Sequence, residues 1–379
     1  MYVRRNLGLK FISIILILVI GLIGTGCGAG NKESAAIDKL LGSDTIQIRD
    51  CIGRKAQIPA KVERIACLYA FTGHVVTMLG QGDKIVAVVN GLKRDTLLNE
   101  MVPSIGQALV PSTEGAINIE ELIKAKPDLV FIRAETAAQE GETEKLNKSG
   151  IPYLVVDFNS IEEQKYAIEM IAKAVGVANK GKKYNQYYQD CLDLIEQKLT
   201  GLPDKDRLKV YHSVNEASRT DSPNTLPADW MQRAGVINVS VNDKLKFLEG
   251  KYYANLEQIF LWDPDIIIAN EPGVGGYILD SEQWAGLRAV KEGKVFQMPI
   301  GISRWGHPGS LETPLAVLWM AKTAYPKTFQ DLDMVLETKT FYKQFFNIEL
   351  NDDGIARILQ GQGMRTAKGD NKTEGGLIK

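Results

Sequence analysis

A motif that occurs twice with the same spacing most limits what this chain can fold into. The first copy is Asn-Ile-Glu-Glu-Leu-Ile at residues 118–123, followed by Pro-Asp-Leu-Val-Phe-Ile at 127–132. The second copy is Asn-Leu-Glu-Gln-Ile-Phe at 255–260, followed by Pro-Asp-Ile-Ile-Ile-Ala at 264–269. Asparagine is a favoured helix N-cap, proline stops the helix, and the apolar run after Pro-Asp is typical of a buried parallel strand. The repeat therefore predicts two related α/β lobes rather than one large sheet.

The segments around both copies fit the same plan. A helix is predicted after each apolar run, at residues 142–150 and 282–293, and a strand follows it at 153–158 and 294–298. Because these strands are short and continuously apolar, they are typical of sheets covered on both faces. Further strands are predicted at residues 64–68, 84–89 and 208–214, and a helix end at 230–234.

One long helix is predicted between the two halves. Its apolar positions recur at steps of three and four residues, at Tyr184, Tyr187, Tyr188, Cys191, Ile195 and Leu199. This spacing places them on one face, and Gly201 and Pro203 end the helix. About 20 residues make a rod of roughly 30 Å, which is long enough to join two lobes.

The N-terminus carries an export signal. Arg4, Arg5 and Lys10 precede an uncharged run at residues 11–26, which is shorter than the ~20 apolar residues of a membrane-spanning helix and typical of a signal peptide. The run ends at Gly24-Thr25-Gly26-Cys27, which resembles the lipobox of bacterial lipoproteins. An uncleaved N-terminal anchor is the alternative. Both interpretations place the folded part outside the cytoplasm, tethered to a membrane.

Charge becomes informative once the signal is set apart. The whole chain has 45 basic and 46 acidic residues and a net charge of −1. Without residues 1–26 the chain has 42 basic residues against 46 acidic ones, a net charge of −4. Such a chain has no basic field for nucleic acid, so clustered cations would be a local feature.

The three cysteines that follow Cys27 do not suggest a zinc site. Cys51, Cys67 and Cys191 form no C-x-x-C motif and no cluster with histidine. Cys51 and Cys67 could pair in an oxidising compartment, whereas Cys191 is expected to be a small buried residue of the long helix.

Several motifs in order resemble one family. Residues 50–59 and 62–65 match D-x-x-G-R-x-x-x-I-P…R-I, and residues 284–296 resemble W-x-x-L-x-A-V-K-x-G-K-V. The two Asn…Pro-Asp units and residues 319–326 and 341–346 also match. The chain thereby resembles the substrate-binding lipoproteins of ABC importers that serve ferric siderophores, haem and cobalamin. The resemblance implies an α/β fold of two similar lobes with mainly parallel sheets, one long connecting helix and a ligand cleft between the lobes.

The resemblance also implies a division of the chain and a set of partners. We expect a signal peptide at 1–26, the lipidated Cys27 and a tether at 27–44, and an N-terminal lobe at 45–178. A connecting helix at 179–203, a C-terminal lobe with closing helices at 204–363 and a disordered tail at 364–379 follow. The expected partners are an ABC permease, its cytoplasmic ATPase, a small-molecule metal chelate and the membrane. Nucleic acid, a cofactor, a resident metal and catalytic residues are not expected, and the chain is expected to be a monomer.

Two glutamates receive a role from the same resemblance. By motif position, Glu120 and Glu257 are the carboxylates, one on each lobe, that meet arginines of the permease. The alternative is helix-start electrostatics, worth about 0.3–1 kcal/mol. Asn118 and Asn255 already supply helix caps, so helix chemistry alone does not require a glutamate in both copies.

The ligand candidates come from loops at the carboxyl ends of the predicted strands, where open α/β sheets bind ligands. They are Tyr69, Phe71, His74, Arg94 and Arg133 in the first lobe and Arg219, Tyr252, Tyr253, Arg304, Trp305 and His307 in the second. Aromatic faces suit a large planar ligand, and arginine forks suit carboxylates or oxyanions. Within the loop at residues 303–314, Ser310 or Thr313 is expected to cap the next helix; a constrained turn is the alternative.

Several ligands remain open on this pattern. An iron complex, either a ferric siderophore or haem, uses both aromatic and cationic groups. Cobalamin and molybdate or tungstate are the alternatives within the same fold. A zinc or manganese receptor would need clustered ligands, whereas only His74, His212 and His307 exist. An exported hydrolase is disfavoured because G-x-S-x-G and H-E-x-x-H motifs are absent from the sequence.

Overall fold

A computed structural model describes residues 44–362, 364–366 and 376–378. The signal peptide at 1–26, the lipidation of Cys27 and nearly all of the tether lie outside the described residues and stay predictions. In the part of the chain that the model describes, no helix has both the length and the apolar character needed to cross a membrane.

The first lobe is built on a six-stranded sheet. Its spatial order is β6 (Ala116–Ile117), β5 (Leu109–Thr113), β4 (Ile85–Val89), β3 (Ile65–Cys67), β7 (Leu129–Arg133) and β8 (Tyr153–Val156). All neighbours pair in parallel except β5 and β6. Ala66, Val130 and Val155 are fully buried, as parallel strands covered by helices require. Two strands precede this sheet in the chain, β1 (Thr45–Arg49) and β2 (Lys55–Pro59).

Seven helices surround the first sheet along the chain. They are α1 (Ala70–Met78), α2 (Asn90–Lys93), α3 (Thr96–Met101), α4 (Ile119–Ala125), α5 (Ala134–Ala137), α6 (Glu140–Ser149) and α7 (Ile161–Ala174). Short 3₁₀ turns occupy Gly82–Lys84 and Pro103–Gln107. The loops after β3, β4, β7 and β8 all open at one edge of the sheet, because parallel strands share their carboxyl ends.

The second lobe repeats this design with a smaller sheet. Four parallel strands are ordered β11 (Ile237–Asn238), β9 (Lys209–Ser213), β14 (Ile266–Ala269) and β15 (Val295–Gln297). A separate antiparallel sheet is ordered β10 (Arg219–Thr220), β13 (Lys251–Tyr253) and β12 (Lys246–Leu248). The helices are α9 (Leu226–Arg233), α10 (Leu256–Trp262), α11 (Val274–Asp280), α12 (Arg288–Lys291), α13 (Thr313–Ala324), α14 (Met334–Phe346) and α15 (Asp352–Gln360), with a 3₁₀ turn at Asp204–Asp206.

A single long helix, α8 (Ala178–Lys198), joins the lobes. It packs against α7 of the first lobe and α13 of the second. A Cβ built on Gly181 would lie 2.7 Å from the Cβ of Ala172, so α7 and α8 approach each other closely. Tyr184 and Tyr188 are fully buried on its apolar face, and the Tyr184 hydroxyl donates to the carbonyl oxygen of Leu311. The predicted fold of two α/β lobes joined by one long helix is confirmed.

The repeated motif has the same local chemistry in both lobes. The side chain of Asn118 accepts the backbone N–H of Glu121 at 3.1 Å, and that of Asn255 accepts the N–H of Gln258 at 2.8 Å. The aspartate after each proline ties its strand to a neighbour. Asp128 accepts the Arg64 N–H at 2.9 Å, and Asp265 accepts the Lys209 N–H at 2.8 Å. Each copy is therefore a capped helix and a strand whose start is anchored by a carboxylate.

One predicted helix of the second lobe is wrong in extent. Of residues 282–293 only Arg288–Lys291 is α-helical, and Leu287 is extended. The helix that follows β14 is instead α11, which begins after Gly273 in a glycine-rich stretch that resembles a loop in sequence. A Cβ built on Gly275 would lie 3.7 Å from the Gln297 backbone nitrogen, an ordinary contact distance, so α11 packs against β15 at this residue.

The three described cysteines are free thiols. Burial raises the pKa of Cys51 to about 11 and the pKa values of Cys67 and Cys191 to about 12. All three therefore stay protonated at neutral pH, and Cys191 lies on the buried face of α8, as predicted.

The tail predicted to be disordered at 364–379 is different in its described parts. The Thr96 N–H donates to Met364 O at 3.1 Å, and the Thr366 N–H donates to Arg94 O at 3.0 Å. Leu377 is fully buried, and its carbonyl oxygen accepts the Asn351 N–H at 3.0 Å. The buried side chains of Met364 and Leu377 anchor these parts. The segment is polar on average, so its composition alone does not indicate these anchors.

Candidate functional site

A buried carboxylate, that of Glu312, fixes the loop at residues 303–314. Glu312 is fully buried and accepts the Ser303 N–H at 2.8 Å, the Ser303 hydroxyl at 2.9 Å and the hydroxyl of Tyr342. Burial raises the pKa of Glu312. The expected cap by Ser310 or Thr313 is wrong, because Glu312 is the N-cap residue of α13 and makes no side-chain cap bond.

Arg304 and His307 lie on this loop, and both are partly buried. Arg304 pairs with Glu271 and also donates to the side-chain oxygen of Asn215. Burial lowers the pKa of Arg304 to about 10, against the opposing charge of Glu271, so the guanidinium stays charged at neutral pH. His307 Nδ1 accepts the Gly309 N–H at 3.1 Å, which fixes a tautomer with hydrogen on Nε2.

The charges around His307 reveal a cationic centre. Burial lowers its pKa well below the ordinary value, and the charges of four arginines lower it further. In order of effect these are Arg304, Arg365, Arg219 and Arg133. The charges of arginines from both lobes and from the C-terminal segment therefore act on one neutral imidazole.

The first lobe meets this centre through Arg133 and Tyr69. The Arg133 guanidinium carbon lies 5.0 Å from the centre of the Tyr69 ring, and its Nη2 pairs with Glu135 at 2.6 Å. A Cβ built on Gly309 would lie 3.0 Å from the Tyr69 hydroxyl oxygen. The two lobes therefore come close together at Tyr69 and Gly309.

Arg94 follows α2 directly in the first lobe and bonds to the C-terminal segment. Its Nε donates to the carbonyl oxygen of Thr366 at 2.9 Å. Burial lowers the pKa of Arg94, and the charge of Arg365 lowers it further. Next to it, buried Asp95 accepts His74 Nε2 at 2.9 Å and also pairs with Arg365.

Arg219 and the two tyrosines lie on the small antiparallel sheet. Arg219 pairs with Tyr253 in the β10–β13 register, so their side chains share a face. Tyr252 points to the opposite face, where its ring centre lies 5.0 Å from that of Phe247. Tyr253 therefore accompanies the cationic centre and Tyr252 does not.

Three candidates are buried rather than open to the cleft. Phe71 is fully buried, and its ring centre lies 4.6 Å from that of Phe158. Trp305 is also fully buried, and His74 is 4% exposed. The side chains of Phe71 and Trp305 therefore have no exposed surface for a ligand. His74 is hydrogen-bonded to Asp95.

We call Arg94, Arg133, Arg219, Arg304 and Arg365 the arginine cluster. Arg133, Arg304 and Arg365 pair with Glu135, Glu271 and Asp95, respectively. Within residues 44–362, 364–366 and 376–378, no carboxylate lies within ion-pair distance of Arg94 or Arg219. The described residues also contain no group of three or more histidine, cysteine or acidic side chains that could hold a metal ion. The site therefore suits an anion.

Sequence reasoning missed Asp95, Glu271 and Arg365. Asp95 and Glu271 follow predicted strands and could have been found as counter-charges for Arg94 and Arg304. Arg365 lies in a polar segment without periodicity, and no sequence signal places it beside Arg94.

The two predicted docking glutamates are exposed, one at the start of α4 and one at the start of α10. Glu120 and Glu257 thus occupy equivalent positions in the two lobes. Their role in docking stays a prediction.

Comparisons with known proteins agree with this architecture. Residues 65–300 match the family model described as periplasmic binding protein. The molybdate-binding protein MolA of Haemophilus influenzae is 26% identical over 336 residues, 82% of this chain and 93% of that protein. Its molybdate-bound structure has a TM-score of 0.73 at 24% identity and covers 81% of this chain and 99% of the other.

Two further solved structures share the fold. A periplasmic solute binding protein of Veillonella parvula has a TM-score of 0.73 at 24% identity, covering 84% of this chain and 98% of its own. CeuE of Helicobacter pylori in a Ni-His complex has a TM-score of 0.68 at 24% identity, covering 83% and 99%. MolA and the Veillonella parvula protein are both described as binding proteins. The chain therefore belongs to the periplasmic binding protein family and is an extracytoplasmic substrate-binding protein of an ABC importer.

Proposed function

We propose that this protein captures a small divalent oxyanion, such as molybdate or tungstate, in the cleft and delivers it to the permease of its importer. The observation that carries the proposal is the arginine cluster, whose members come from both lobes and from the C-terminal segment. Arg304 pairs with Glu271, Arg365 pairs with Asp95, and Arg94 Nε donates to Thr366 O at 2.9 Å. The relative named as a molybdate-binding protein supports the same ligand class.

The charge balance of the cluster supports a divalent ligand. Three of its arginines have carboxylate partners, whereas Arg94 and Arg219 have none among the described residues. A dianion would neutralise this excess, and guanidinium groups present paired N–H donors to oxyanions. Because the remainder of the chain after residue 26 is acidic, the cations are a local feature of the cleft.

The closeness of the lobes supports a small ligand. A Cβ built on Gly309 would lie 3.0 Å from the Tyr69 hydroxyl oxygen, which is a tight contact between the lobes. The neutral His307 adds an Nε2–H donor beside the arginines, because its Nδ1 is already an acceptor. An oxyanion could then be bound by hydrogen-bond donors alone.

An anionic iron complex, either a ferric siderophore or haem, is the second candidate. Exposed aromatic and apolar side chains on the hairpin of β12 and β13 favour it. Phe247 is 62% exposed at the edge of the hairpin that carries Tyr252 and Tyr253. A planar chelate could stack on such rings while its carboxylates meet the arginines.

Calorimetric titration of the purified protein with molybdate, tungstate, sulfate and phosphate tests the proposal. We expect molybdate to bind with a Kd of about 1 µM or tighter. Arg219→Ala should weaken binding about 10- to 100-fold, since a charge-assisted hydrogen bond is lost. Arg233→Ala is the matched control, because this arginine is exposed on α9 outside the cluster.

Titration with haem, a ferric siderophore and cobalamin, with tryptophan quenching as the readout of binding, completes the comparison. If an iron complex binds and none of the oxyanions does, the second candidate replaces the first. Tight cobalamin binding alone would contradict both.

We further propose that Cys27 carries a lipid anchor, which would keep the receptor near its permease. The lipobox-like sequence Gly24-Thr25-Gly26-Cys27 supports this proposal. The mass of protein extracted from membranes tests it: cleavage before Cys27 with added acyl groups is expected, and an unmodified N-terminus would contradict it.

A further inference from the structure

The C-terminal chain returns from the second lobe to the first. Helix α15 lies on the second lobe, where Ile358 O accepts the Ile300 N–H at 3.0 Å. Residues 364–366, which we call the tail segment, then pair with Arg94–Thr96 of the first lobe through two backbone hydrogen bonds of 3.0 and 3.1 Å. The polypeptide therefore connects the lobes a second time, in addition to α8.

A second anchor holds the chain end at the same boundary. The Glu100 carboxylate of the first lobe accepts the backbone N–H groups of Leu377 and Ile378, both at 3.0 Å. Leu377 O accepts the Asn351 N–H of the second lobe at 3.0 Å. The described parts of the C-terminus are thus bonded to both lobes, and the tail segment is held beside the cleft.

Arg365 is the charged residue of the tail segment. Its side chain is 13% exposed and pairs with Asp95 through Nη1. Its Nε is buried and has no hydrogen-bond partner among the described residues. The neighbouring Thr366 hydroxyl and His74 Nδ1 are also buried without a partner there, and His74 is 4% exposed. Buried polar atoms normally have partners, so each of these atoms is a candidate for a hydrogen bond to a ligand.

We propose that Arg365 contacts the bound oxyanion directly, so that the C-terminal tail segment supplies part of the ligand site. The inference rests on the proposed oxyanion function. Arginine has five N–H donors, and the pair with Asp95 leaves several of them for another acceptor. Arg94 lies beside the tail segment, because its Nε donates to Thr366 O at 2.9 Å, and the charge of Arg365 lowers the pKa of both Arg94 and Arg304. These three groups would surround the oxyanion.

Two variants separate ligand contact from a purely structural role. Arg365→Ala removes the proposed contact, whereas Asp95→Asn removes the structural partner of Arg365 and keeps its charge. We expect Arg365→Ala to weaken molybdate binding about 10- to 100-fold in calorimetry. Asp95→Asn should weaken molybdate binding less than Arg365→Ala does, because the arginine that contacts the ligand is retained. Arg357→Ala, which removes an arginine of α15 that pairs with Asp353, is the control.

Thermal unfolding with and without molybdate checks the integrity of each variant. In Arg365→Ala the increase in Tm caused by molybdate should shrink, whatever happens to the Tm of the ligand-free protein. Equal losses of affinity in Arg365→Ala and Asp95→Asn would overturn the inference and assign Arg365 a structural role. Unchanged affinity in Arg365→Ala would also overturn it. If the unaltered protein and Arg357→Ala both fail to bind molybdate, the proposed oxyanion function itself fails.

Discussion

At the scale of single residues, the cleft is organised by how charges are buried. Arg304 keeps its charge because Glu271 opposes the effect of burial, whereas His307 loses its proton to burial and to four neighbouring arginines. Glu312 fixes the loop that carries both residues through three donors. The result is one neutral donor among several permanent cations, which is an environment for an anion.

The neutral state of His307 predicts a pH dependence of stability. Below the ordinary histidine pKa of about 6.5, the unfolded chain binds a proton at this residue that the folded chain does not. The free energy of unfolding should therefore decrease as pH falls below about 6.5. His307→Asn should show a smaller decrease, because its amide oxygen can accept the Gly309 N–H without titrating. Urea unfolding at pH 7.5 and 5.5 measures this, and an identical decrease in both proteins would contradict it.

At the scale of secondary structure, the repeated motif shows how far local sequence decides structure. Asn118 and Asn255 cap α4 and α10, and Asp128 and Asp265 anchor the strands that follow. These elements were predictable because capping and proline stops act between residues close in sequence. Helix α11 was not predictable, since its glycine-rich sequence is typical of a loop and its packing against β15 involves residues distant in sequence.

Removing either cap should destabilise the protein. Asn118→Ala and Asn255→Ala should each lower the free energy of unfolding by about 0.5–2 kcal/mol. The loss should be greater for Asn255→Ala, because Asn255 and Gln258 form a reciprocal capping box. Asn→Ser at each position keeps an acceptor and should restore most of the stability in urea unfolding. Equal stability of the Ala and Ser variants would show that the caps contribute nothing measurable.

At the scale of the whole molecule, the two lobes carry carboxylates at equivalent positions. Loops of the two lobes also come close together at Tyr69 and Gly309. Glu120 and Glu257 are exposed at the starts of equivalent helices of the two lobes. This arrangement would let a permease contact both lobes at once. The tail segment adds a second connection between the lobes beside α8.

Charge reversal at both glutamates tests this division of roles. The double variant Glu120→Arg and Glu257→Arg should abolish ligand uptake by cells while molybdate affinity in calorimetry stays within about twofold. The physical reason is that like charges would then oppose each other at the docking surface, whereas the cleft is unaltered. Glu121→Arg, at an adjacent position of α4, is the matched control. Loss of molybdate binding in the double variant would instead connect these residues to the cleft.

The sequence by itself determined the two-lobe α/β design, the joining helix and the loops that carry Arg133, Arg219 and Arg304, because caps, proline stops and apolar periodicity act locally. Only the tertiary structure decided which of these loop residues face the cleft. Phe71 and Trp305 became core, Asp95 and Glu271 became counter-charges, and Arg365 reached Asp95 across 270 residues of chain. Burial and ion pairing depend on neighbours that are distant in sequence, and folding alone brings them together.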